Sequence, residues 1–337
     1  MSALAGFVDK LSRGEAFAPN EIDAAFAVIM DGQAAHEDIK RFLNFSQPHM
    51  IDPAWIAGGA RALRARMAPI TAPVGAIDVC GTGGDSAHTL NISTAVAFVV
   101  AGCGVSVAKH GNRAMSSKSG AADVLEALGV KLTGDIATLE RCLREAGLAF
   151  LFAQNHHPAM RHVALARREL GKRTIFNLLG PLSNPAGVKR QLVGVFSADY
   201  AQPMAHALRE LGCEKALVVH GAGGLDELSA AGQEANVVAT LEHGAITLQR
   251  ATLQGEVHPD LRGGLAHENA QELRALLNGV GRPGHRAAVL INAAAALFVA
   301  GKAPNVIDAH ALASRSLESG AAKSALENLI AVSQAPS

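Results

Sequence analysis

The stretch Ile77-Asp-Val-Cys-Gly-Thr-Gly-Gly-Asp85 opens the part of the sequence that decides the fold. Its apolar start predicts a short strand, and the glycines that follow it, with Asp85, predict a tight turn. Asn91-Ile-Ser-Thr94 then leads into residues 95–103, which we predict to be a buried helix. Because glycine has no Cβ, backbone N–H groups in such a turn can approach an oxyanion closely, and a helix start adds unpaired N–H donors. We therefore expect an anion-binding site where this strand ends.

The same strand, loop and helix order follows at once. Residues 105–108 predict a second strand, and residues 121–128 predict a helix that Gly129 ends. Between them, Lys109-His-Gly-Asn-Arg113 and Ser116-Ser-Lys-Ser119 combine three cations and three hydroxyls with no acidic residue. We interpret this loop as a pyrophosphate clamp, and the alternative is an ordinary solvated loop. Two such loops side by side predict a ligand that carries two phosphate-type groups.

Neither loop has the sequence of a common nucleotide-binding motif. The glycine turn is not Gly-x-Gly-x-x-Gly, and it lacks the Lys-Ser/Thr ending of a P-loop, so the sequence does not indicate a dinucleotide or ATP. Asn91-Ile-Ser-Thr94 places three polar side chains at one helix start. An N-cap role would explain one of them, whereas a bound phosphate or hydrated metal would use all three.

Composition excludes several classes of function. The 337 residues carry no net charge and include one Trp and one Tyr, which argues against binding to nucleic acid. With 49% hydrophobic residues and no uninterrupted apolar run of membrane-spanning length, we expect a soluble protein without a membrane partner. No export signal is evident at the N-terminus, and the cysteines lack metal-ligand spacing, so we expect a cytoplasmic protein with free thiols.

The order of predicted elements indicates an α/β fold with two domains. Residues 1–70 have apolar positions at helical spacing and predict a small all-helical domain, completed by helices within 165–190. Apolar runs then alternate with helices, which predicts a large α/β domain over 71–337 with a mostly parallel central sheet. Phe7, Phe26, Phe42 and Phe45 give the helical domain more apolar surface than we expect it to bury alone, so we predict an interface there.

Three further segments carry candidate site residues. Asp226-Glu227 follows a predicted strand and indicates Mg²⁺ ligands, although an acidic helix start explains the pair about equally well. Arg167 shares a predicted apolar helix stripe with Met160, Val163, Ala164 and Leu170, so it needs either a structural acid or a substrate carboxylate. The segment 174–185 contains two prolines and predicts a stiff loop.

Six motifs together resemble those of the anthranilate phosphoribosyltransferase family, over nearly the whole chain. They are Gly81-Thr-Gly-Gly-Asp85, Asn91-Ile-Ser-Thr94, Lys109-His-Gly-Asn-Arg113, Ser117-Lys-Ser-Gly120, Phe176-Asn-Leu-Leu-Gly-Pro181 and Leu225-Asp-Glu-Leu-Ser229. The resemblance implies the nucleoside-phosphorylase-like fold of class III phosphoribosyltransferases and a homodimer joined through the helical domain. It also implies that the amine of anthranilate displaces pyrophosphate from phosphoribosyl pyrophosphate (PRPP), with Mg²⁺, two ions per monomer, in the second step of tryptophan biosynthesis from chorismate.

The resemblance also implies which residues meet each ligand. The residues implied for PRPP are Gly81, Gly84, Asp85, Thr89, Asn91, Ile92, Ser93, Thr94, Lys109, His110, Gly111, Asn112, Arg113, Ala114, Met115, Ser116, Ser117 and Ala121. Those implied for anthranilate are Gly81, His110, Asn112, His157, Arg167, Gly180 and Pro181. Those implied for the metal are Ser93, Asp226 and Glu227. We assign no general base, because an aromatic amine needs positioning more than deprotonation, and we expect donors and Mg²⁺ to stabilise the departing pyrophosphate.

Two alternatives share this fold. A pyrimidine nucleoside phosphorylase should carry Lys-His-Ser before the glycine turn, where this chain has Asp78-Val-Cys80, and it gives no reason for an Asp-Glu pair. A non-catalytic relative that binds nucleic acid should be strongly basic, and this chain is neutral.

Overall fold

The computed structural model describes residues 2–84, 87–113, 118–230, 236–251 and 261–336. The N-terminal part is helical, as predicted. Its helices are α1 (Ala5–Ser12), α2 (Pro19–Met30), α3 (His36–Phe45) and α4 (Pro53–Arg64), with a 3-10 turn at Gln47–Ile51. Proline begins α2 and α4, where its missing N–H costs nothing, and the Asp52 carboxylate caps α4 by accepting a hydrogen bond from the N–H of Ala54 (2.9 Å).

The rest of the chain alternates strands and helices around one sheet. The strands are β1 (Ile77–Gly81), β2 (Val107–Gly111), β3 (Leu148–Phe152), β4 (Arg190–Gly194), β5 (Lys215–His220), β6 (Asn236–Glu242) and β7 (Ala245–Ala251). Their order is β3-β2-β1-β4-β5-β6-β7. The first five strands are parallel, and β6 and β7 pair antiparallel. The predicted α/β class with a mostly parallel sheet is therefore confirmed.

Helices cover both faces of this sheet. They are α5 (Ile92–Gly102), α6 (Ala121–Ala127), α7 (Ile136–Glu145), α8 (Ala153–His156), α9 (Arg161–Leu170), α10 (Phe176–Leu179), α11 (Ala201–Glu210), α12 (Ala266–Leu277), α13 (Pro283–Ala300), α14 (Val306–Glu318) and α15 (Ala321–Gln334). Val79 and Leu192 belong to one hydrophobic core, and Cys80 and Val193 belong to the other. Successive strand residues thus point to opposite faces.

The second core joins the N-terminal helices to the sheet. It contains Phe26 and Phe42, both fully buried, together with residues of α9 to α11 and of β4 to β6. Our expectation that these phenylalanines leave an unburied surface is therefore wrong for Phe26 and Phe42, because helices distant in sequence cover them. Phe45 remains 36% exposed. The two-domain boundary near residue 70 stays a prediction.

Helix α13 is long and apolar enough to cross a membrane by length and composition alone. However, 67% of it is buried inside the protein, where it packs against α5 and α14 and against β4 and β5. The core helix of a soluble protein can have the same length and composition, and the contacts of α13 are those of a core helix.

Two element boundaries differ from the prediction in a way that affects the site. β2 runs to Gly111, because Lys109, His110 and Gly111 pair with Phe150, Leu151 and Phe152 of β3. The residues predicted to begin a polar loop are therefore the end of a buried strand. Helix α5 begins at Ile92, so Ser93 and Thr94 lie in its first turn.

Candidate active site

The glycine turn follows β1 at the position where the strand order reverses. β1 lies between β2 and β4, and ligands of open α/β sheets bind at the carboxyl ends of strands beside such a reversal. Gly83 and Gly84 have φ of +63° and +77°, which only glycine adopts easily. The N–H of Gly83 donates to Asp226 Oδ2 (2.8 Å), and a Cβ on Gly81 would lie 2.6 Å from the same oxygen. The turn and Asp226 therefore pack directly against each other.

The loop that carries Asp226 and Glu227 can pack directly against the ends of β4 and β5 only because glycine stands there, at Gly194 and at Gly221. A Cβ on Gly194 would lie 1.4 Å from the carbonyl oxygen of Asp226, and one on Gly221 would lie 2.0 Å from that of Glu227. Beyond the acids, Asn292 of α13 exchanges two hydrogen bonds of 2.9 Å with the backbone of Leu228. The loop is thus fixed over β4 and β5.

The three residues implied for the metal lie around one small cleft. Ser93, Asp226 and Glu227 line it together with Val79, Cys80, Leu192, Gly194, Val219 and Asn292. The fold brings Ser93 there from the first turn of α5 and brings the two acids there from the loop after β5. Hydroxyl and carboxylate oxygens are the donors that Mg²⁺ prefers, so this side-chain set fits that ion.

Lys109 lies beneath this cleft rather than in a solvated loop. It is 3% exposed, and its Nζ donates to the carbonyl of Val79 (2.7 Å) and to Ser93 Oγ (3.2 Å). Burial lowers the pKa of Lys109, while the negative charges of Asp78, Glu227 and Asp226 act in the opposite direction. A positive charge at this point faces the acids and any anion bound above them.

Asp78 is a site residue whose role the sequence did not reveal. Burial raises the pKa of this fully buried carboxyl. It accepts hydrogen bonds from the N–H of His110 (3.1 Å) and from Asn184 Nδ2 (2.7 Å), and Asn184 also donates to the carbonyl of Ala108 (2.8 Å). The one sign of this role in the sequence is that Asp78 is an acid inside an apolar run. The sequence does not show its contact with Asn184, because the two residues are far apart along the chain.

His110 and His157 form an uncharged pair next to the segment after α10. His110 Nδ1 lies 3.0 Å from the carbonyl of Gly180 and so donates to it, which leaves its Nε2 to accept from Nε2 of His157 (3.2 Å). Burial lowers the pKa of His110 to about 3 and that of His157 to about 4. Pro181 is fixed from the other side, because its carbonyl accepts a hydrogen bond from Gln191 Nε2 (2.8 Å). These residues form an aromatic and neutral wall.

Arg167 is half-buried on α9, and burial lowers the pKa of its guanidinium. The guanidinium carbon lies 6.0 Å from the ring centroid of Phe176. Within the described part of the chain, it has no acidic partner and no hydrogen bond. The predicted stripe is wrong at Ala164, which is exposed, because the helix turns Val163 and Ala166 to the core instead. A cation held in this way is available for a ligand carboxylate.

The other residues at the start of α5 divide between core and surface. Asn91 occupies the N-cap position, but its side chain does not cap the helix; it contacts the carbonyl of Ser119 (3.4 Å) and Asn269 Nδ2 (2.9 Å). The Ile92 and Thr94 side chains are buried. Thr89 forms a backbone bridge with Arg262. Ser93 is thus the member of this motif whose side chain lines the cleft.

Arg113 is not an unpaired cation. Its Nη1 donates to Asp123 (2.9 Å) and its Nη2 to Glu126 (2.9 Å), and these two acids on α6 raise its pKa. The loop that has no acid in sequence therefore receives two from the next helix. Asn112 beside it is exposed, and Gly111 and Ala121 are half-buried. Five further residues implied for PRPP lie outside the described residues: Asp85, Ala114, Met115, Ser116 and Ser117.

Comparison with known proteins gives one consistent set of relatives. Residues 74–323 match the model of the glycosyl transferase family, a/b domain. An anthranilate phosphoribosyltransferase of Chelativorans sp. is 51% identical over 99% of both chains. The solved anthranilate phosphoribosyltransferase of Thermus thermophilus is 40% identical with a TM-score of 0.91, covering 97% of this chain and 99% of that one. The Saccharomyces cerevisiae enzyme, solved in complex with PRPP and Mg, is 26% identical with a TM-score of 0.88, covering 98% and 97%.

Proposed function

This chain belongs to the anthranilate phosphoribosyltransferase family, and from that premise we propose that it transfers the 5-phosphoribosyl group of PRPP to the amine of anthranilate. The products are N-(5-phosphoribosyl)anthranilate and pyrophosphate, in the second step of tryptophan biosynthesis from chorismate. The observation that carries the proposal is the meeting of the glycine turn, Ser93, Asp226 and Glu227 at one edge of the sheet. The relatives named above are all anthranilate phosphoribosyltransferases, which favours this function over a nucleoside phosphorylase or a nucleic-acid-binding protein.

We place PRPP over the carboxyl ends of β1 and β2. The glycine turn lets a phosphate group approach the backbone without side chains in the way, and the start of α5 adds the positive end of a helix dipole. Buried Lys109 supplies a positive charge below them. The proposed contacts are Gly81, Gly84, Asp85, Thr89, Asn91 to Thr94, Lys109 to Ser117 and Ala121. Because Arg113 already pairs with two acids, its contribution to this set should be small.

We propose that Ser93, Asp226 and Glu227 hold Mg²⁺, with two ions per monomer. The donor set consists of oxygen atoms only, and the yeast relative was solved with Mg. Bound Mg²⁺ would neutralise charge on the departing pyrophosphate. The chain's own contribution is to fix these oxygens, through the glycines below the acidic loop and through the Asn292 contacts beyond it.

We place anthranilate between α9 and the segment after α10. Arg167 would pair with its carboxylate, and His110, His157, Gly180 and Pro181 would line its ring, with Gly81 and Asn112 on the side of PRPP. Both histidines are neutral with low pKa, and the described ring contacts of His110 engage both of its nitrogens. We therefore assign no general base. The residues catalyse by orienting the amine toward the ribose and by stabilising the leaving group.

We also propose a cytoplasmic homodimer joined through the helical domain. Phe45 and Ile51, which are 36% and 56% exposed, offer apolar surface near the end of α3 and in the turn after it. A two-fold dimer is the commonest way to cover such surface. Sedimentation should show a dimer at micromolar concentration, and a monomer near 34.7 kDa would contradict this part of the proposal.

The direct test is turnover of purified protein with anthranilate, PRPP and Mg²⁺, measured by the loss of anthranilate emission. We expect turnover that stops on chelation of Mg²⁺ and resumes when the ion is restored. No turnover by a folded protein at saturating concentrations of all three would contradict the proposed function.

A further inference from the structure

Arg173 joins the linker between α9 and α10 to the glycine turn. Its Nη2 donates to the carbonyl oxygen of Gly84. Its guanidinium carbon lies 4.2 Å from the ring centroid of Phe196. Phe196 in turn donates its backbone N–H to Thr82 Oγ1 (3.1 Å). The side chain and its aromatic platform therefore both attach to the turn at Thr82 to Gly84.

The same linker is tied to the N-terminal helices. The backbone carbonyl of Arg173 accepts a hydrogen bond from Gln47 Nε2 (3.0 Å). Neighbouring Lys172 donates to Asn44 Oδ1 (2.5 Å). Arg173 thus reaches the turn from a backbone that is held in place independently of the turn. Because these anchors lie on the helical part, the guanidinium acts as a brace between that part and the sheet edge.

The glycine turn needs such a brace. Two consecutive glycines with positive φ have more conformational freedom to lose than any other pair, so ordering them costs entropy. Asp226 fixes one side of the turn through the N–H of Gly83. Arg173 fixes the other side through the carbonyl of Gly84, by a charged hydrogen bond stronger than a neutral one. The turn is therefore fixed at both of its positive-φ glycines, by Asp226 at Gly83 and by Arg173 at Gly84.

We propose that Arg173 is a positioning residue for PRPP: it holds the glycine turn in the conformation that binds the pyrophosphate group. The inference rests on the placement of PRPP at this turn. Arg173 acts through Gly84 and does not itself touch the reacting atoms. Its loss should therefore weaken PRPP binding without affecting the anthranilate side, where Arg167 acts.

The test compares Arg173→Ala with Arg168→Ala, which removes the same charge from the exposed last turn of α9 and, among the described residues, has no contact with the glycine turn or with the anchors of the linker. We expect Arg173→Ala to raise the KM for PRPP about tenfold, the effect of losing one charged hydrogen bond. The KM for anthranilate at saturating PRPP and the Tm should stay near wild type. Arg168→Ala should leave all three values near wild type, and Arg173→Lys, which can still donate to the carbonyl, should recover part of the loss.

Calorimetric titration with PRPP and Mg²⁺ separates this inference from the proposed function. Weaker binding by Arg173→Ala, with wild-type binding intact, supports the brace even if turnover fails for another reason. Equal binding by the two proteins overturns it. A lower Tm with an unchanged KM for PRPP also overturns it, because Arg173 would then be only a structural contact. If Arg168→Ala weakens PRPP binding as much, positive charge near the linker is responsible and the brace is rejected.

Discussion

The two strand–loop–helix units look alike in sequence, but the structure uses them differently. In the first, the turn after β1 is held by Asp226 on one side and by Arg173 on the other. In the second, Lys109 is buried beneath the first unit's cleft, and Arg113 is neutralised by α6. The charged residues of a loop sequence therefore do not by themselves show which charges are available to a ligand, because residues from other elements can pair with them.

The largest effect should come from the acids that lie against the first unit. Asp226→Asn with Glu227→Gln should lower turnover by at least about a thousandfold, since metal binding contributes several kcal/mol of charge stabilisation. The protein should remain folded by circular dichroism. The adjacent acids Glu37 and Asp38 on α3 provide the control, and their amide variants should keep wild-type turnover. Full turnover by the Asp226–Glu227 variant in saturating Mg²⁺ would remove metal binding from this pair.

The histidine pair at the end of β2 should make stability depend on pH. Both folded pKa values, about 3 and about 4, lie below the usual 6.5. As pH falls below 6.5, the unfolded chain takes up protons that the folded chain refuses, so stability is lost until the folded pKa values are passed. Between pH 7 and 5, each histidine should lower the free energy of unfolding by about 2 kcal/mol.

Denaturant unfolding at the two pH values measures this effect. Between pH 7 and 5, the free energy of unfolding of His157→Gln should decrease less than that of wild type. The same substitution at exposed His310 should leave the decrease as large as in wild type. If wild type and His157→Gln lose equal stability between pH 7 and 5, the pair is not the source of the pH dependence.

Arg167→Ala should separate the two substrates. A charged hydrogen bond to the carboxylate is worth about 1.5–3 kcal/mol, so the KM for anthranilate should rise about ten- to a hundredfold. The KM for PRPP should change little. Aniline, which lacks the carboxylate, should be a poor substrate that loses little more in the variant. If the variant weakens PRPP and spares anthranilate, our placement of the substrates is wrong.

Arg113→Ala should have the smallest effect. Because Asp123 and Glu126 already neutralise this exposed cation, the KM for PRPP should rise less than about threefold. Lys109→Met, which removes the buried charge of the same unit, should have a much larger effect. A rise of a hundredfold for Arg113→Ala would show that Arg113 leaves its acids to bind PRPP.

Local patterns in the sequence were enough to predict the fold class and the candidate motifs. The parallel strands and the helices between them follow from apolar runs and glycine stops, and β1 appears where its run predicts it. The same patterns mislead at Lys109 to Gly111, which extend β2 because β3 supplies backbone partners. Local patterns do not predict contacts between distant positions, such as those of Asp78 with Asn184 and of Arg173 with Gly84.

A crystal structure with PRPP and Mg²⁺ bound would test the central claim most directly. We expect the pyrophosphate to lie against the turn at Gly81 to Gly84, with metal at Ser93, Asp226 and Glu227. Arg113 should still be paired with its two acids on α6. Pyrophosphate bound by Arg113 at the start of α6, with the glycine turn and Asp226 left without contact to ligand or metal, would contradict the division of roles between the two units.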